Sequence, residues 1–130
     1  MEELIRPQEF FYLLSDETRL RCFLLLVEKK ELCVCDFTHA LKLIQPKISR
    51  HLAIMKKFNL LLDRRSGTWS YYRINPDLPN WINKILPIMV EHLGNSKQFN
   101  NDLIRVNNFT TRPKCDSLQI SIKNDYALPE

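Results

Sequence analysis

A chain of 130 residues, 45% hydrophobic and 26% charged, is long enough for one hydrophobic core and too short for two of ordinary size. That composition excludes an intrinsically disordered chain, and no apolar run reaches the ~18 residues of a membrane-spanning helix. The net charge of +4 is uneven: from Lys42 to Arg73 eight basic side chains stand against one acid, Asp63, a balance of +7, while the remaining eleven basic and fourteen acidic residues give −3.

A basic centre in an otherwise acidic chain points to a polyanion as partner. The opening MEELIRPQEF has neither the basic flank nor the apolar stretch of a secretory signal. The expectation is a cytoplasmic protein with no membrane contact, whose four cysteines are reduced thiols rather than a disulfide framework.

In chain order, PQEFFYLL predicts a short helix and SDETRLRCFLLLVEKK a clearer one. Ser15 suits its N-cap, Asp16 and Glu17 its positive end, and Lys29 and Lys30 its negative end. Leu20, Phe23, Leu24 and Val27 share one face, and Cys22, Leu25 and Leu26 make the other sides apolar, so this helix should be central. A third helix is expected over 34–43.

After a break at Ile44 and Gln45, Pro46 fits the first turn of a fourth helix, where its missing donor costs little. Ile48, Leu52 and Met55 form its buried stripe. Arg50, Ala53, Ile54 and Lys57 then face outward, with Lys47 and Ser49 at the flanks.

From Leu60 the pattern changes to LLLDRRSGTWSYYRI, a β-hairpin with its tip at Ser66 and Gly67 and with Arg64 and Arg65 at that tip. A last long helix starts near Pro79, carrying Trp81, Ile82, Ile85, Met89 and Leu93 at helical spacing; Pro87 should kink or interrupt it. Beyond Gly94 the asparagine-rich sequence supports a helical continuation to about Val106 and then a loosely held tail. Residues 1–94 are thus expected as one domain and 95–130 as an extension.

Two short helices separated by a tight break and followed by an arginine-bearing hairpin describe a winged helix-turn-helix, mostly α with a small β-hairpin. A helix in the major groove presents the side chains of its N-terminal half to base edges. Here these are Gln45, Lys47, Ser49 and Arg50, with Arg64 and Arg65 reaching an adjacent backbone or minor groove. His51 joins this set as a packing or phosphate-contacting side chain.

The stretches LSDETRLRCFLLL, ELCVCD, QPKISRHL and NLLLDRRSGTWSYYRI, in that order, resemble the arsenical-resistance repressors of the ArsR family, the ArsR/SmtB group. The resemblance covers about Leu13 to Trp81. It implies a cytoplasmic homodimer joined through terminal helices, bound to a double-stranded operator. It also implies release when trivalent arsenic or antimony binds Cys33 and Cys35, with no cofactor required and no enzymatic activity.

Thiolates are soft ligands, and two of them chelate only if their sulfurs converge. On a regular helix residues i and i+2 are about 200° apart, whereas in an extended segment they share a face. Chelation by Cys33 and Cys35 is therefore expected to unwind, or prevent, the first turn of the third helix. Arsenic-sensing relatives carry a third cysteine three residues after the second; Thr38 stands there in this chain. The candidate third ligand is Cys115, with an external thiol or no third sulfur as alternatives.

Cys22 is disfavoured by its packed helix, His39 by its place on the surface, and His92 by the lack of a paired Asp/His pattern around it. The same residues leave open a sensor of cadmium, zinc or copper(I), a thiol redox switch, and a thiol-dependent arsenate reductase. Against the last, the motif is C-x-C rather than C-x-x-C, with no anion-binding loop.

Overall fold

The computed structural model describes residues 4–109. Their order is α1 (Pro7–Leu14), α2 (Glu17–Lys29), β1 (Glu31–Cys33), α3 (Val34–Leu41), α4 (Gln45–Lys57), β2 (Leu61–Ser66), β3 (Trp69–Ile74), α5 (Asn80–Leu93) and α6 (Lys97–Asn107). This is a winged helix-turn-helix with α3 and α4 as its helical pair and β2–β3 as its wing.

Ser15 does not cap α2. Its hydroxyl donates back to the Tyr12 carbonyl at the end of α1, and Asp16 is the N-cap, accepting from the Arg19 N–H at 3.1 Å. A carboxylate serves the cap and the helix dipole together, so it takes the position. As the pattern implied, α2 is central, with Cys22 through Leu26 all buried.

Lys42, in the left-handed region at φ 59°, ends α3, and Ile44 caps α4. Ile48, Leu52 and Met55 are fully buried against a core that includes Phe10, Leu13, Phe23, Phe37 and Leu60. Burying such side chains stabilises the fold by about 1.5–3 kcal/mol each.

The sheet is three-stranded and antiparallel, in the order β1-β3-β2. Pairing of Ser66 with Trp69 leaves a two-residue turn, Gly67 and Thr68, in which Gly67 adopts φ 64°. That backbone favours glycine and matches the twist of a tight hairpin. The strand β1 was not expected from the sequence.

Helix α5 runs unbroken through Pro87. Pro87 and Asn83, whose carbonyl loses its helical donor, are both exposed, and water can replace that donor. After Gly94, Ser96 caps α6, which buries Phe99, Asp102 and Val106. No helix among the described residues is long and apolar enough to cross a membrane.

His51 faces the interior and not the exposed side of α4. It is 8% exposed, and its Nδ1 lies 3.2 Å from Arg19 Nη1. A guanidinium only donates, so Nδ1 accepts and the ring is neutral. Burial lowers the His51 pKa, as do Arg19, Arg50 and Lys47, against an opposing pull from Asp16. The unfolded state then binds the extra proton, so stability is full above the ordinary histidine pKa of about 6.5 and declines as pH falls through the lower folded value. Melting curves between pH 7 and 5 should fall for the parent chain and flatten in His51→Gln, whose carbonyl still accepts from Arg19.

Candidate thiol site and nucleic-acid interface

The cysteine pair sits where β1 becomes α3. Cys33 has extended backbone (φ −93°, ψ 167°), pairs with Tyr71 across the sheet and is the N-cap of α3, while Cys35 lies in the first helical turn. One residue is outside the helix and the other inside it. The rotation that separates i and i+2 on a continuous helix does not apply, and the two sulfurs converge to 2.6 Å. Without ligand, the pair converges with α3 formed from Val34 onward.

Asp36 holds this geometry. Its fully buried carboxylate accepts from the Cys33 N–H at 2.9 Å, and the Cys33 sulfur accepts from the Asp36 N–H, a capping box with a thiol in place of the usual hydroxyl. Donor atoms of Cys33, Cys35 and Asp36 lie within 4.8 Å of one another. Only the two sulfurs are soft. Burial, reinforced by the Asp36 charge, pushes the Cys33 thiol up to about 12, so it is protonated at neutral pH.

The Thr38 hydroxyl donates to the Val34 carbonyl at 2.8 Å and is occupied within its helix. Cys22 is fully buried in the core, where desolvation raises its pKa. His39 is exposed and stacks on Phe109, with centroids 4.2 Å apart and planes at 14°. His92 is exposed on α5. Cys115 lies outside the described residues.

Tyr71, fully buried, packs against both cysteines. The Arg64 guanidinium lies over its ring at 4.7 Å and donates to the Glu31 carboxylate at 3.0 and 3.3 Å. Arg64 is thus not at the tip of the wing. The register sets it opposite Tyr71 in mid-strand, where Glu31 of β1 supplies its counter-charge. That ion pair spans 33 positions of sequence. Arg65, opposite Ser70, is exposed nearer the turn.

On α4, Gln45 and Arg50 are exposed and Lys47 and Ser49 half-buried. Gln45 Nε2 donates to Ser49 Oγ at 2.8 Å, so the two side chains orient each other. Between α4 and the wing runs a groove of about 710 Å³ that reaches from Cys35 and Thr38 to Gln45, Ser49, Arg65 and Trp69. The thiol site and the exposed polar face of α4 therefore open onto one space.

Residues 16–61 match the bacterial regulatory protein, arsR family. The chain is 45% identical over 115 residues to the arsenic resistance transcriptional regulator ArsR2 of Pseudomonas putida, covering 88% of this chain and 98% of that protein. It is 54% identical over 80 residues to the arsenical resistance operon repressor of Escherichia coli, covering 62% and 68%. Among solved structures, the transcriptional repressor PagR of Bacillus anthracis matches with a TM-score of 0.54 at 28% identity, covering 63% of this chain and 90% of that one. With its helical pair, wing and converging cysteines, the chain belongs to the arsR family of bacterial transcriptional regulators.

Proposed function

We propose that this regulator is a cytoplasmic, homodimeric repressor that binds operator DNA and releases it when trivalent arsenic or antimony is captured by Cys33 and Cys35. The observation that carries this is the convergence of the two sulfurs at the joint between β1 and α3. The arsenic-resistance roles named for the Pseudomonas putida and Escherichia coli relatives support it.

In the reduced protein, capture of neutral arsenite by two thiols balances without releasing protons. Each thiol proton leaves with an arsenite hydroxide as water: As(OH)3 + 2 RSH gives (RS)2AsOH + 2 H2O. A divalent cation must instead displace two protons into solvent. At neutral pH, fluorescence anisotropy of DNA from upstream of the gene, bound by reduced protein, should fall as arsenite is added. The midpoint should change little between pH 6.5 and 8, whereas cadmium should become more effective with each pH unit. Release by cadmium alone, or by oxidation alone, would move the assignment to another thiophilic ion or a redox switch.

Coupling follows from where the sulfurs sit. With metal–sulfur bonds of about 2.3 Å, two sulfurs on one centre stand roughly 3–4 Å apart. Capture therefore ties Cys33 of β1 and Cys35 of α3 to one centre. Metalloid and DNA then prefer different arrangements of one joint, and each weakens the other. For the third ligand we assign Cys115. Phe109 is held on His39, one helical turn from Cys35, and six further residues span up to about 20 Å.

The DNA contacts we assign are Gln45, Lys47, Ser49, Arg50 and Arg65. Arg64 and His51 support the surface from behind it. The dimer surface is the apolar face left by Leu4, Phe11 and Tyr12 together with Ile88 and Leu93 of α5, all exposed. Phe11 lies 5.9 Å from Trp81, which makes the two helices one surface. Ile88→Glu should sediment as a monomer and bind a two-half-site operator at least about tenfold more weakly, because the second half-site no longer adds avidity.

A further inference from the structure

Helix α6 lies beyond residues 16–61, the stretch that matches the arsR-family pattern itself. Its Asp102 is fully buried, and a buried carboxylate is costly unless it is paired. Asp102 Oδ2 accepts from Arg21 Nε at 2.9 Å, and Oδ1 accepts from Arg21 Nη2 at 2.8 Å and Arg105 Nη2 at 2.9 Å.

Both guanidiniums reach one further target. Arg105 Nε donates to the Ala40 carbonyl at 2.6 Å, and Arg21 Nη2 to the Leu41 carbonyl at 3.3 Å. These carbonyls belong to the last turn of α3, where a helix has no donors of its own left to offer. One buried carboxylate therefore aims two cations at the C-terminal end of α3. The His39–Phe109 stack holds the same helix from α6's far end, and the Lys29 ammonium donates to Asn107 at 2.6 Å, fixing α6 to α2.

Helix α3 starts at the cysteine pair and ends at Leu41, with three residues between it and Gln45. Whatever fixes its direction fixes the angle between the thiol site and the exposed face of α4. We infer that Asp102, Arg105 and Arg21 form a clamp that positions the α3–α4 turn for operator binding, with Asp102 and Arg105 as positioning residues that touch neither DNA nor metalloid. All four helices involved are packed independently of the clamp: α2, α3, α4 and, through Phe99 and Val106, α6 share the apolar core. The clamp's task is then orientation more than cohesion.

This inference rests on the operator-binding reading above, and the test separates the two. In Arg105→Met the Asp102–Arg21 pair and the alkyl packing persist while the Ala40 carbonyl loses its donor. At a temperature where circular dichroism shows the variant folded, its operator affinity should fall about tenfold. The slope of log affinity against log salt should stay unchanged, because no phosphate contact is lost. Arsenite titration, followed by near-ultraviolet sulfur–arsenic absorbance, should match the parent.

Arg105→Lys, which keeps a donor, should recover part of the affinity, and Asp102→Asn should lose more than Arg105→Met. Operator affinity of folded Arg105→Met within twofold of the parent overturns the clamp, as does a lowered melting temperature with unchanged affinity. Failure of the parent chain itself to bind the DNA overturns the operator reading instead. Should Asp102→Asn fail to fold, the two Arg105 variants decide the matter.

Discussion

Cys33→Ser combined with Cys35→Ser is expected to leave operator binding within about threefold of the parent while abolishing release by arsenite at any concentration that frees the parent. The fold should tolerate the exchange, because serine is close in size and is a preferred N-cap, so Ser at 33 can take over the reciprocal bond with Asp36. A hydroxyl is a poor partner for a soft metalloid, so the ligand loses both anchors together. Anisotropy titrations of the two proteins on one DNA, with and without arsenite, read both quantities. Unchanged release in the double variant would remove these residues from the sensing mechanism. Loss of DNA binding without ligand would instead show that the thiols maintain the helix-turn-helix.

The second large effect concerns Arg50. Arg50→Ala should weaken operator binding by about 10- to 100-fold, the cost of a bidentate base contact of about 1–3 kcal/mol, while changing affinity for unrelated duplex DNA far less. Arg50 is exposed and lies on the outer face of α4, opposite the buried Ile48, Leu52 and Met55. Lys47→Ala offers the contrast: as a phosphate contact it should weaken both DNAs about equally and reduce the salt slope by about one. Equal loss on both DNAs for Arg50→Ala would make it a phosphate contact, and no loss would place the base-reading surface elsewhere.

Much of this architecture can be read from periodicity. The buried stripe of α4 and the apolar α2 follow from side chains three and four apart, and the hairpin from its alternation and Gly67. What could not be read depends on partners distant in sequence. A three-residue strand such as β1 has no period to detect and exists only because β3 offers it an edge. The same holds for Arg64, whose place is set by Glu31, and for His51, whose inward turn is set by Arg19. The cysteine motif was evident, but the convergence of its sulfurs was not, because it requires a change of backbone between Cys33 and Cys35 that spacing alone does not show. Likewise the spacing of Asp102 and Arg105 shows a pair within one helix, but the burial of Asp102 is set by Arg21 of α2, 81 positions away.

The shared strand β3 makes the wing inseparable from the rest of the protein. It pairs with the wing's other strand on one side and with the cysteine-bearing β1 on the other. Its Tyr71 walls the thiol site, and its neighbour Arg64 ties β2 to Glu31. A chimaera that takes residues 61–74 from another repressor would therefore import a foreign wall for the ligand as well as a new DNA-facing loop. Sensor selectivity in such hybrids should travel partly with the hairpin, and engineering that treats ligand choice and DNA choice as separate modules would need to carry β1 along with the graft.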